Sequence, residues 1–170
     1  MAEKFISLVG GMHTEKQATT VSAGAADAGK VVGLDSGGLI DPSLLPSNVG
    51  SDASRSILAF EDLVSGNYVN IFEDTGVTKV RKADATNGRL ALGFVKSGAT
   101  AGAAATVFTY GVNNQHVGLL SGVPMFLSIT TPGAGTSVVP TGTGNLSQML
   151  GYSLSQTEVL FEFNPFVTLA

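Results

Sequence analysis

The chain reads as an all-β protein: an antiparallel β-barrel or sandwich, preceded by an extended N-terminal arm that carries a small β-hairpin. Three observations lead there. Short runs alternate apolar and polar residues with a period of two. Turn residues separate those runs at close spacing, with 22 Gly and 6 Pro in 170 residues. Helical periodicity is nearly absent.

Residues 1–55 form the expected arm. They are rich in Gly, Ala and Ser, with one short apolar stretch, Phe5 to Val9, that is too short and too weakly flanked for a secretory signal. The stretch SAGAADAG (22–29) is low in complexity and cannot bury enough apolar surface to order itself. A hairpin is expected at 30–46. Val31, Val32 and Leu34 precede Asp35-Ser36-Gly37-Gly38, where glycine tolerates positive φ, and Leu39 with Ile40 follow. Asp41-Pro42 stops the second strand, because proline has no ladder donor, and Leu44-Leu45-Pro46 remains as an apolar knob. A lone two-stranded hairpin is marginal in water, so this one should need another surface.

Residues 56–170 form the expected barrel domain. ILAFEDL (57–63) is strand or a helical turn. Tyr68 to Glu73 alternates as a strand, Asp74-Thr75-Gly76 turns, and Val77 to Lys82 returns as its partner. LALGFV (90–95) is a nearly all-apolar central strand, and TVFTY (106–110) is another. In Pro124 to Thr130, Met125, Leu127 and Ile129 share the core face. Gln148 to Ser155 should bury Leu150, Tyr152 and Leu154 and turn Gly151 and Ser153 outward. Glu158 to Phe163 should bury Val159, Phe161 and Phe163. Only Ser155-Gln156-Thr157 separates these last two strands, which predicts a hairpin.

Composition bounds the partners. Charged residues make up 13% of the chain, against roughly 25% in ordinary soluble domains. Between Lys96 and Glu158 there is no Asp, Glu, Lys or Arg. Gly, Pro, Asn and Thr interrupt that run too often for a membrane-spanning helix. An uncharged exposed surface marks an interface, so copies of the chain or other subunits should cover it. A net charge of −4 argues against a nucleic-acid groove, which needs clustered cations. The cluster Lys79, Arg81 and Lys82 is too small for one; alternation puts Lys79 and Arg81 on one strand face, which is solvated or meets a negatively charged neighbour.

No constellation points to catalysis, and neither enzyme activity nor a cofactor is expected. Gly24 to Lys30 fits the start of a phosphate loop, but Val31 stands where Ser or Thr would hold magnesium. Gly142-x-Gly144 lacks the third glycine of a dinucleotide fingerprint. His13 and His116 are too few for a zinc site in a chain with no cysteine. No G-x-S-x-G elbow supports a hydrolase, and the adjacent pairs Glu61-Asp62 and Glu73-Asp74 read as solvated turns.

Gly33, Leu34, Asp35, Gly38 and the run Ile40 to Pro46 resemble a G-L-D-x-x-G-x-I-D-P-S-L-L-P stretch that recurs in structural proteins of tailed bacteriophages. Leu39 departs from the polar residue often found there. The run YVNIFEDTGVTKVRKADATNGRLALGFV, with ATVFTYGV, GLLSGVPMFLS and LGYSLSQTEVLFEF, is similar to a β-barrel module of phage head-decoration proteins and tail appendages. In the closing hairpin, Met149-Leu150 replaces the valine of that module's V-G-x-x-L-S pattern. These resemblances imply a capsid decoration, or cement, protein on the virion surface: a homotrimer that bridges copies of the major capsid protein and stabilises the head. A tail fibre, collar or receptor-binding appendage is the alternative, weakened by the absence of Trp and the presence of only 3 Tyr. On the first reading the oligomer or capsid contacts are Val31, Val32, Leu34, Leu39, Ile40, Leu44, Leu45 and Pro46, with no nucleic acid or membrane as partner.

Overall fold

In the computed structural model, which describes residues 4–45 and 54–170, strands and turns make up nearly the whole fold, and the only helices are short 3₁₀ turns. The chain divides into two units, Met1–Ser51 and Asp52–Ala170.

The first unit opens with a hairpin that the sequence reading did not anticipate. Strands β1 (Lys4–Val9) and β2 (Met12–Gln17) pair antiparallel from Lys4↔Gln17 to Val9↔Met12. Gly10 and Gly11 join them at φ +58° and +84°, the two left-handed residues that a tight hairpin with the native twist requires. The hairpin expected at 30–46 does not form a ladder. Its turn is present: Asp35 accepts the amides of Gly37 and Leu39 at 2.8 and 2.9 Å, and its own amide reaches the Leu39 carbonyl at 2.8 Å. The flanking strand is diverted, because Thr19 donates to the Val31 carbonyl and accepts from Gly33, making a parallel bridge to Val32. Past the turn, Asp41 caps the 3₁₀ turn Pro42–Leu44 through the Ser43 amide. The segment 22–29 also has local order, a 3₁₀ turn at Gly24–Asp27 in which Asp27 accepts from the Ala23 amide and the Lys30 ammonium. Polar satisfaction, not apolar burial, organises it.

The second unit is built on a closed five-stranded barrel. Its strands are β3 (Ser54–Ala59), β4 (Tyr68–Asp74), β5 (Val77–Lys82), β6 (Gly93–Val95) and β7 (Ala104–Phe108), paired in the cyclic order β3-β5-β4-β6-β7. The pairings are antiparallel except β3 with β5. A closed ring of five strands cannot alternate direction all the way round, so one neighbouring pair has to run parallel, and here it is β3 with β5. Ala59, Leu63, Val69, Val80, Val95, Ala105 and Val107 fill the interior. Alanine and valine dominate this set, with Leu63 its largest member, as the narrow interior of a five-stranded barrel requires.

The rest of the chain makes a second sheet from β8 (Gly111–Asn113), β9 (Pro124–Leu127), β10 (Gly135–Thr136), β11 (Leu146–Ser153) and β12 (Val159–Phe161). Its order is β10-β9-β11-β12-β8, and β13 (Phe166–Thr168) pairs with the first part of β11. The sheet packs on the outer wall of the barrel. Tyr68, Ala83, Ala91 and Phe94 meet Met125, Leu127, Leu150 and Phe161 in a single core. Phe161 lies 5.7 Å from Tyr68 and 5.8 Å from Phe94, ring centre to ring centre. Strand alternation explains how one segment serves two cores: Tyr68 and Phe94 point out to the sheet, while their neighbours Val69 and Val95 point into the barrel.

The predicted hairpin of β11 and β12 is present, with Ser153 opposite Val159. Its facing is different from the prediction after Leu150. A register shift between Met149 and Gly151 against β9 inserts an extra residue, and such a bulge moves every later side chain to the opposite face. Gly151 and Ser153 are therefore buried, whereas Tyr152 and Leu154 are exposed. Phe163, expected in the core, lies past the end of β12 and is exposed.

Candidate functional site

The predicted contact residues in the first unit lie at its surface. Val31, Val32, Leu34, Leu39 and Ile40 range from 46% exposed at Ile40 to 67% at Leu39. Leu44 and Leu45 are half-buried, and Pro46 lies outside the described residues. The Thr19 bridge at Val32 and the Asp35 turn at Leu39 bring Val32, Leu34 and Leu39 into one short excursion of chain. Val31 also lines a cavity of about 500 Å³ together with Phe5, Ser7, Lys16 and Thr19.

A second apolar surface, in the second unit, was not resolved residue by residue from sequence. Val117 is 85% exposed and Leu120 77%, and both sit in the loop that runs beside the β11–β12 turn. That loop is fastened to the turn by polar bonds. The Leu119 amide donates to the Gln156 carbonyl (3.1 Å), the Gly122 amide to the Ser153 carbonyl (2.8 Å) and the Val123 amide to Ser153 Oγ (3.0 Å). Tyr152 and Leu154 therefore stand out beside Leu120, all three within the 97–157 stretch that has no Asp, Glu, Lys or Arg. The charge-free run was the available signal; the bulge that turns Tyr152 and Leu154 outward was not visible in it.

His116 lies in the loop that follows β8. Its Nε2 meets the hydroxyl of buried Tyr68 at 2.9 Å, beside a cavity of about 180 Å³ lined by Ser65, Gly66, Asn67 and Gln115. Burial holds the imidazole below its ordinary value and pushes the Tyr68 hydroxyl up. The backbone amide of His116 reaches the Thr157 carbonyl at 3.2 Å, so the pair ties a loop to the core. Among the described residues no group of His, Asp and Glu is arranged to hold a metal ion.

The cluster Lys79, Arg81 and Lys82 lies on the barrel wall. Lys79 pairs with Asp74 at 2.7 Å, and the Arg81 guanidinium lies over the Phe72 ring at 4.0 Å. The Lys82 amide donates to Glu61 at 2.8 Å. Compared with protein-family models, with curated proteins and with solved structures, the chain has no match in any of the three.

Proposed function

We propose that the chain is a virion structural protein that acts as cement: an oligomer, taken here as a trimer, that decorates a phage head and bridges its shell subunits. The observation that carries this reading is the exposed rim of Val117, Leu120, Tyr152 and Leu154 within a stretch that has no Asp, Glu, Lys or Arg. Water contact with such a rim is costly, at roughly 25 cal/mol per Å² of apolar surface. Association with another surface removes the cost, and a stable interface needs about 1,000 Å² or more in total. The excursion at 31–45 offers a second such surface, and the phage resemblance of 33–46 and 68–163 supplies the setting.

The mechanism is mechanical. Each copy would bury its apolar surfaces against its siblings and the shell, and that burial opposes the pressure of packaged DNA. Light scattering of the purified chain, followed by its addition to undecorated heads, tests both halves of the reading. An oligomer that saturates many sites per head is the expected result; a monomer with no affinity for heads would sink it. Replacing Leu44 and Leu45 by Asp should abolish occupancy. The resemblance of 33–46 to tailed-phage structural proteins in general, fibres and other appendages included, keeps an appendage role as the second reading, and labelling intact particles separates them: many copies over the head, or a few at the tail.

A further inference from the structure

The outer wall of the barrel presents an arginine, Arg81, that is held in place by its neighbours and forms no ion pair among the described residues. Across β4 and β5, Asn70 faces Arg81 and Phe72 faces Lys79. The Phe72 ring supports the Arg81 guanidinium from below and meets Phe60 edge-on at 5.3 Å. Arg81 Nε donates to Asn70 Oδ1 at 3.1 Å, and Asn70 Nδ2 donates to the Leu90 carbonyl at 3.0 Å. Asn70 is itself buried, so it fixes the position and the roll of the guanidinium plane.

The surrounding charges do not neutralise it. The neighbouring cation Lys79 has Asp74, but among the described residues no ion pair includes Arg81 or Arg89. Arg89, adjacent to Leu90, is near enough to repel Arg81, and Glu61 offsets this from a position where it already accepts the Lys82 amide. Arginine's planar fork matches an oxyanion with two parallel hydrogen bonds. Here one nitrogen is engaged by Asn70, and both terminal amino groups lack a partner among the described residues.

We propose that this wall is a docking site for a protein segment bearing a carboxylate next to an apolar side chain. The carboxylate bridges Arg81 and Arg89. The apolar side chain rests on Phe60 and Leu58, which are 50% and 42% exposed on the same outward face. A nucleic acid does not fit the site, because Glu61 and Asp74 flank it and a phosphate backbone needs a longer track of cations. A free phosphate would leave the two apolar side chains uncovered.

The test is fluorescence anisotropy with a labelled, capped peptide of alternating glutamate and leucine, beside a peptide with glutamine in place of glutamate. The glutamate peptide should bind and the glutamine peptide should bind at least about tenfold more weakly, since a charge-assisted pair contributes about that much. Arg81→Gln and Arg89→Gln should each cost a similar factor, and Arg81→Lys should not fully restore it, because an ammonium lacks the fork. Circular dichroism melts of each variant verify that the barrel is folded. Equal binding of the two peptides, full binding by folded Arg81→Gln, or inorganic phosphate binding as tightly as the peptide would each overturn the proposal. The assay contains no capsid, so its failure leaves the shell-binding proposal standing.

Discussion

The Tyr68 hydroxyl and Nε2 of His116 lie 2.9 Å apart at the edge of the core that joins the barrel to the second sheet. Burial holds His116 below its ordinary value of 6.5. The unfolded chain then binds more protons than the folded one in the window below that value, so stability rises with pH there. The urea midpoint should fall between about pH 7.5 and about pH 5.5, above the range where most carboxylates titrate. His116→Gln should flatten that fall. A slope unchanged in the variant would assign the titration to another group.

Gly151 sits at φ +135°, and a Cβ there would lie 1.9 Å from the Leu160 carbonyl oxygen. Neither strand can give way, since the clash is with backbone inside the β11–β12 ladder. Gly151→Ala should cost about 3 kcal/mol or more, or prevent folding. Gly102→Ala is the control: its φ is +81° and its Cβ would meet nothing within 4 Å, so only the left-handed penalty of about 1–2 kcal/mol applies. Equal losses in denaturant melts would show that the backbone contact is not what matters.

Gln148 is fully buried and pairs with Ala91 in both directions: the Ala91 amide reaches Oε1 at 2.8 Å, and Nε2 reaches the Ala91 carbonyl at 2.9 Å. A side chain thus supplies both hydrogen-bond partners of the Ala91 backbone. Gln148→Leu keeps the bulk but orphans two buried backbone groups, at an expected cost of about 2–4 kcal/mol. A variant within about 0.5 kcal/mol of the parent, the usual range for a surface change, would mean that water replaces the amide.

The rim residues should govern self-association. Leu120→Asp combined with Leu154→Asp places charge on the exposed surface without touching the core. Sedimentation velocity should show the oligomer dissociating while the melting curve stays close to the parent's. An unchanged oligomer would move the interface elsewhere.

Much of the second unit was legible in the chain. Val77–Lys82 returning on Tyr68–Asp74, the core face of Met125 and Leu127, and the β11–β12 hairpin all follow from period-two patterning and turn chemistry. The β1–β2 hairpin has a turn signal, Gly10-Gly11 between two runs of equal length, but past Met12 the second run is polar at every position and shows no period-two alternation. The 30–46 hairpin misled for the converse reason. Its turn chemistry is genuine, yet Thr19 captures the backbone that its ladder would have needed.

By itself the sequence determined the strand-forming segments, the turns and the poverty of charge, because each depends on residues close together in the chain. Tertiary structure decided which side of β11 faces water after its bulge, that β3 closes the barrel in parallel against β5, and that Arg81 has Asn70 and Phe72 as neighbours and no ion pair among the described residues. Those outcomes depend on register and on pairing between distant segments, and a shift of one residue there reverses every side chain beyond it.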